Sequence, residues 1–105
     1  MDTKHLDIGC GKKPRNPYRM SAVYGCDIRD LDNADSENHY EYRQANLVLA
    51  EIPFGDNCFD TVSAYDFIEH VPRQLMDQRG QLRNPFVDLM SEIHRVLKPG
   101  GEFLA

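Results

Sequence analysis

His5-Leu6-Asp7-Ile8-Gly9-Cys10-Gly11 decides the fold: an apolar run carrying one acid leaves through two glycines set one residue apart. The run reads as a short buried strand from His5 to Ile8. A glycine-rich exit permits a tight turn and removes side chains where a ligand must touch the backbone. Open α/β sheets bind their ligands at the carboxyl edge, where such a turn lies. Alone, a G-x-G marks a plain turn as readily as a site. Asp27 sharpens it, since it falls sixteen residues beyond Gly11 within a second apolar run, Ala22 to Ile28. In a doubly wound sheet that carboxylate lies beside the glycine turn and can accept both hydroxyls of an adenosine ribose. An isolated Asp27 would read instead as a solvated strand-end carboxylate.

Further along, Tyr40 to Leu47 reads as a weaker third strand, Thr61 to Tyr65 as a fourth, and Glu102 to Ala105 as the opening of a fifth. The strongest helix spans Phe86 to Lys98, with Asn84 as N-cap and Pro85 at the first helical position. Phe86, Leu89, Met90, Ile93 and Leu97 recur at three- and four-residue steps and form one apolar stripe. Asp88 and Lys98 suit the two ends of the helix dipole, and Pro99-Gly100-Gly101 stops the helix and turns the chain into the next strand. A shorter helix starts around Asp66 and stops before Pro72, and residues 73 to 84 read as a polar loop. Strands alternating with helices give an α/β fold, a Rossmann-like doubly wound, mostly parallel sheet truncated after about five strands. Between Gly11 and Val23 lie only eleven residues, including Pro14 and Pro17, so any helix in that crossover is short or absent.

The 105 residues allow one small domain, and 41% hydrophobic with 28% charged residues is ordinary for a globular chain. No apolar run approaches the roughly 20 residues that span a bilayer, and the N-terminus lacks the apolar core of a signal peptide. The expected location is cytoplasmic. Cys10, Cys26 and Cys58 are odd in number and widely spaced, which argues against a disulfide framework and a zinc site; Cys10 and Cys26 read as small buried hydrophobes. No metal is expected. A net charge of −5 repels phosphate backbones. Nucleic acid is therefore disfavoured and a small-molecule substrate preferred.

A glycine turn and a strand-end acid also suit a nicotinamide dinucleotide. That site prefers a third glycine at the helix start, and here the position is Pro14, although Lys12, Lys13 and Arg15 could meet a phosphate. The later motifs separate the two. Ile52-Pro53-Phe54-Gly55-Asp56-Asn57-Cys58-Phe59-Asp60-Thr61-Val62, then Ile68-Glu69-His70-Val71, then Glu92-Ile93-His94-Arg95-Val96-Leu97-Lys98-Pro99-Gly100-Gly101 follow Leu6 to Gly11 and Asp27 in order. In that order the chain resembles, over essentially its whole length, class I S-adenosylmethionine-dependent methyltransferases of the small-molecule type.

The resemblance implies S-adenosylmethionine as cofactor. It implies that Asp7, Gly9 and Gly11, with Cys10 between the glycines, receive the methionine portion. Asp27, with Ile28 beside it, would bind the ribose hydroxyls. Asn46 and Leu47 would border the adenine, Asn46 standing where the family usually has an Asp. Ala64 and Tyr65 would line the sulfonium end. His70 is the candidate base, with packing near the site as the competing role; His5, His39 and His94 read as incidental. The family fold normally has seven strands, so the chain is expected to be a single, incomplete domain, and an unpaired sheet edge makes a homo-oligomer possible. A non-catalytic cofactor-binding module and a nicotinamide-dependent oxidoreductase domain are the alternatives. The methyl acceptor stays open.

Overall fold

The computed structural model describes residues 3–10, 16–17, 19–28, 41–48, 51–65 and 67–104. Gly11, the basic cluster Lys12, Lys13 and Arg15, and Asp66 lie outside them. In chain order come β1 (Lys4–Ile8), β2 (Ala22–Asp27), β3 (Glu41–Gln44), β4 (Phe59–Ser63), a single 3-10 turn (Ile68–His70), a hairpin of β5 (Leu75–Met76) and β6 (Leu82–Arg83), α1 (Pro85–Val96) and β7 (Leu97–Leu104). The main sheet has the order β3-β2-β1-β4-β7, and its pairings are parallel. From β1 the chain moves one way through β2 and β3, then crosses back to β4 on the other flank. The strand order therefore reverses between β1 and β4. That reversal is the place where an open α/β sheet leaves a crevice at its carboxyl edge.

α1 forms for the reasons its sequence advertises. Asn84 caps it, its Oδ1 accepting from the Val87 N–H at 3.2 Å, and Pro85 occupies the first turn. Leu89, Ile93 and Val96 bury its apolar face in the same core as Leu6, Ile8 and Val62 of the central strands. Burying each such side chain stabilises the fold by about 1.5–3 kcal/mol. Tyr24, Phe54 and Phe59 extend this core as three mutually edge-to-face rings, with centroids 5.2 to 5.6 Å apart. Among the described residues no helix is long and apolar enough to cross a membrane.

The helix ends at Val96 rather than at the expected Lys98, because Leu97 already pairs with Phe59 of β4. Lys98-Pro99-Gly100-Gly101 does not precede β7 but bulges out of it, since the next pairing on β4 is Thr61 with Glu102. Gly100 takes a φ of +83°, and a Cβ on Gly101 would fall 2.9 Å from the Asp60 carbonyl oxygen. The bulge thus explains both glycines. Other boundaries also differ, and the third strand ends at Gln44 rather than at the expected Leu47. The fourth strand is Phe59–Ser63, two residues earlier than expected; the expected helix before Pro72 is the 3-10 turn; and the loop of 73 to 84 contains the hairpin. Of the first crossover, residues 11–15 and 18 lie outside the described residues; in the part described, Asn16 forms a turn by bonding the Met20 N–H and carbonyl at 2.9 Å each.

Candidate functional site

Parallel pairing places the carboxyl ends of β1, β2 and β4 at one edge. Ile8 pairs with Cys26 and Asp7 with Ser63, so the turn after β1 lies between the end of β2, at Asp27, and Ala64, the residue after β4. The Gly9 N–H donates to the Cys26 carbonyl at 2.7 Å and ties that turn to β2. Gly9 has a φ of +68°, and a Cβ there would meet the Phe67 ring at 2.8 Å. The space vacated by this glycine is therefore filled by Phe67, not left for a ligand. Its requirement is steric as well as conformational.

The remaining expected residues gather along the same edge. Asp27 is partly buried, and its backbone carbonyl accepts from the Ala45 N–H at 2.8 Å and the Tyr42 hydroxyl at 3.1 Å, so β3 fixes the end of β2. Ile28 is 58% exposed beside it. Asn46 closes a turn just past β3, its Oδ1 accepting from the Val48 N–H at 3.1 Å. One lone pair of that oxygen is thus used within the chain, and the second lone pair and the amide donors define what Asn46 can offer a ligand. Leu47 is buried. Ala64 is buried and donates its N–H to the Leu104 carbonyl at 2.9 Å, while Tyr65 is partly exposed. His70, exposed at the end of the 3-10 turn, follows on the same connection.

Charge gives this edge its character. Burial, followed by the negative charges of Asp7 and Asp27, pushes the Cys10 thiol up to about 12. Burial, then Cys10 and Asp27, does the same for Cys26. Both thiols are consequently protonated and inert at neutral pH. Cys10 sits in the field of two carboxylates, a setting that favours a cation or a sugar diol over a pyrophosphate. Among the described residues no cluster of side chains suits a metal ion. A cleft of about 670 Å³ is lined by Val48 and residues of the hairpin, including Leu75, Met76 and Arg83. It adjoins the loop after β3 rather than the glycine turn.

Sequence reading passed over two residues at this site. His5, taken as incidental, is fully buried, and so is Ser63. The Ser63 hydroxyl donates to Asp7 Oδ1 at 2.8 Å. Their contacts join strands far apart in the chain, so neither produces a local motif.

The comparisons agree with this geometry. The sequence pattern of the family described as "Methyltransferase domain" matches residues 6–105. A sterol 24-C-methyltransferase of Kluyveromyces lactis is 32% identical over 93% of this chain and 26% of its own length. Squalene methyltransferase 1 of Botryococcus braunii is 32% identical over 95% of this chain and 26% of its own length. The chain thus spans about a quarter of these curated relatives. Among solved structures, the PH0226 protein of Pyrococcus horikoshii superposes with a TM-score of 0.71 at 24% identity, over 99% of this chain and 49% of that one. A SAM-dependent methyltransferase of Methanosarcina mazei gives 0.68 at 25% identity, over 98% and 51%. A parallel sheet reversing at β1, an acid-flanked glycine turn and a sequence match over nearly every residue converge: the chain belongs to the class I, Rossmann-like methyltransferase-domain family.

Proposed function

We propose that the chain binds S-adenosylmethionine along the carboxyl edge of β1, β2 and β4, and supplies the cofactor half of a methyltransferase acting on a small-molecule acceptor. The observation that carries this reading is the side-by-side placement of the Gly9 turn and Asp27 at the reversal of strand order, with Asp7 and Asp27 both acting on Cys10. The donor set fits the ligand. Asp27 accepts from the ribose hydroxyls, Ile28 offers an apolar surface beside them, and Asn46 and Leu47 border the adenine. Asp7, Cys10, Gly11, Ala64 and Tyr65 hold the cationic methionine end. The curated relatives named for sterol and squalene methylation support a small acceptor.

When bound, the cofactor supplies a methyl group on sulfur, with a good leaving group already built in. The chain's own residues then have to hold the reacting atoms in line, and positioning of this kind is worth about 7–11 kcal/mol at best. His70 would serve as base where the acceptor is a hydroxyl or an ammonium, a contribution of roughly 10²–10⁴-fold. Self-association through β3 or β7, the outer strands of the described sheet, would appear in light scattering as a mass that rises with concentration.

Parallel calorimetric titrations with S-adenosylhomocysteine and with NAD test the cofactor assignment. Saturable binding of the first and none of the second is expected. Binding of NAD alone would return the site to dinucleotide chemistry.

A further inference from the structure

Four polar side chains lie buried between β1 and β4: His5 at 0% exposure, Asp7 at 2%, Thr61 at 4% and Ser63 at 0%. The parallel register pairs His5 with Thr61 and Asp7 with Ser63, so all four project from the same face of the sheet. They form one continuous chain. Thr61 Oγ1 lies 2.6 Å from His5 Nδ1, His5 Nε2 lies 2.9 Å from Ser63 Oγ, and the Ser63 hydroxyl reaches Asp7 Oδ1 at 2.8 Å.

The chemistry of the groups fixes the direction of the chain. An ionised Asp7 only accepts, so Ser63 must donate its single hydrogen to it. Ser63 Oγ must then accept from His5, which places the imidazole proton on Nε2. Nδ1 of a neutral imidazole is left as an acceptor, and Thr61 donates to it. Every hydrogen therefore points toward Asp7, and linked bonds of this kind strengthen one another in a low-dielectric interior. Well-packed apolar side chains at such buried polar positions are often as stable or more so, so stability alone is a weak reason for the arrangement. The chain ends on the acid two residues before the Gly9 turn.

We infer that Thr61, His5 and Ser63 are positioning residues, a polarised hydrogen-bond relay that sets the orientation of the Asp7 carboxylate for the cationic end of the cofactor. This rests on the S-adenosylmethionine reading above. It assigns to three residues outside the expected ligand set a part in affinity exerted only through Asp7.

The test is a double-mutant cycle on the 105-residue chain, with S-adenosylhomocysteine affinity read by calorimetry for the unmutated protein, Ser63→Ala, Asp7→Ala and the double variant. Ser63→Ala is expected to weaken binding about 5- to 10-fold, the size of one hydrogen bond. In the Asp7→Ala background the same change should cost nothing further. Nitrogen-15 NMR of His5 in the unmutated protein provides a reading independent of any variant's folding, and should show a neutral ring protonated at Nε2. Undiminished affinity in Ser63→Ala, full additivity in the double variant, or a proton on Nδ1 alone would overturn the relay while leaving the cofactor assignment intact. Failure of the unmutated protein to bind at all would overturn the cofactor assignment itself, and the relay's purpose with it.

Discussion

Gly9 is constrained twice over, by a left-handed φ of +68° and by the Phe67 ring 2.8 Å from where a Cβ would sit. A non-glycine residue held in such a conformation costs on the order of 1–3 kcal/mol, and the overlap with Phe67 adds to it. Gly9→Ala should therefore lower stability by at least about 2 kcal/mol in chemical denaturation. In a Phe67→Ala background the same substitution should cost less, because only the backbone part persists. Equal costs in the two backgrounds would mean that Phe67 does not fill the space. The turn itself is legible in the sequence, because two glycines after an apolar run have few other uses. Phe67 is not, because it arrives from beyond β4 and leaves no periodic trace. His5 shows the same limit: its partners Thr61 and Ser63 lie 56 and 58 residues away, and a lone histidine on a strand looks incidental until the register is known.

α1 was readable because its apolar stripe repeats at the helical period, whereas the two-residue strands of the hairpin are too short to establish any period. The end of α1 is not legible in the sequence, for a different reason. Leu97 fits the stripe equally well, but pairing with Phe59 draws it into β7. What secures this end of the helix is Arg95. Its guanidinium donates to the carbonyls of Phe54 and Ile52 at 3.0 and 2.9 Å, and pairs with Glu92 and Asp56 at 2.8 Å. Glu92 in turn accepts from the Ile52 N–H at 2.9 Å. The hydrogen bonds from Arg95 hold the Glu92 carboxyl below its ordinary 4.5. A group depressed in this way stabilises the fold above its unfolded value and loses that contribution as pH falls through the folded one. Thermal midpoints measured from about pH 3 to 7 should therefore show the unmutated protein above Glu92→Gln at neutral pH. The gap should close progressively below about pH 4.5. A gap independent of pH would show that the ionised carboxylate is not what Arg95 recognises.

The two ends of the sheet divide the labour. At the amino edge Asp60 accepts from the Lys4 N–H at 2.8 Å and lies 3.5 Å from the Lys98 ammonium, linking the starts of β1, β4 and β7. The Lys4 bond, with Lys98 beside it, lowers the Asp60 pKa. Thr3 and Ser21 exchange backbone and side-chain bonds of 2.9 to 3.0 Å at the same end, fixing the register of β1 on β2. At the carboxyl edge the strands instead present Asp27, the Gly9 turn and the relay beneath Asp7. Stability and ligand affinity should accordingly separate by edge. Asp60→Ala removes a partly exposed clamp and should cost about 1 kcal/mol of stability, with S-adenosylhomocysteine affinity unchanged. Asp27→Ala should weaken binding by about 1.5–3 kcal/mol, the scale for bonds to a charged group. Thermal shift with and without ligand reads both quantities in one measurement, since a ligand that binds only the folded state raises stability by RT ln(1 + [L]/Kd). Loss of affinity in Asp60→Ala, or normal affinity in Asp27→Ala, would place the ligand away from the carboxyl edge.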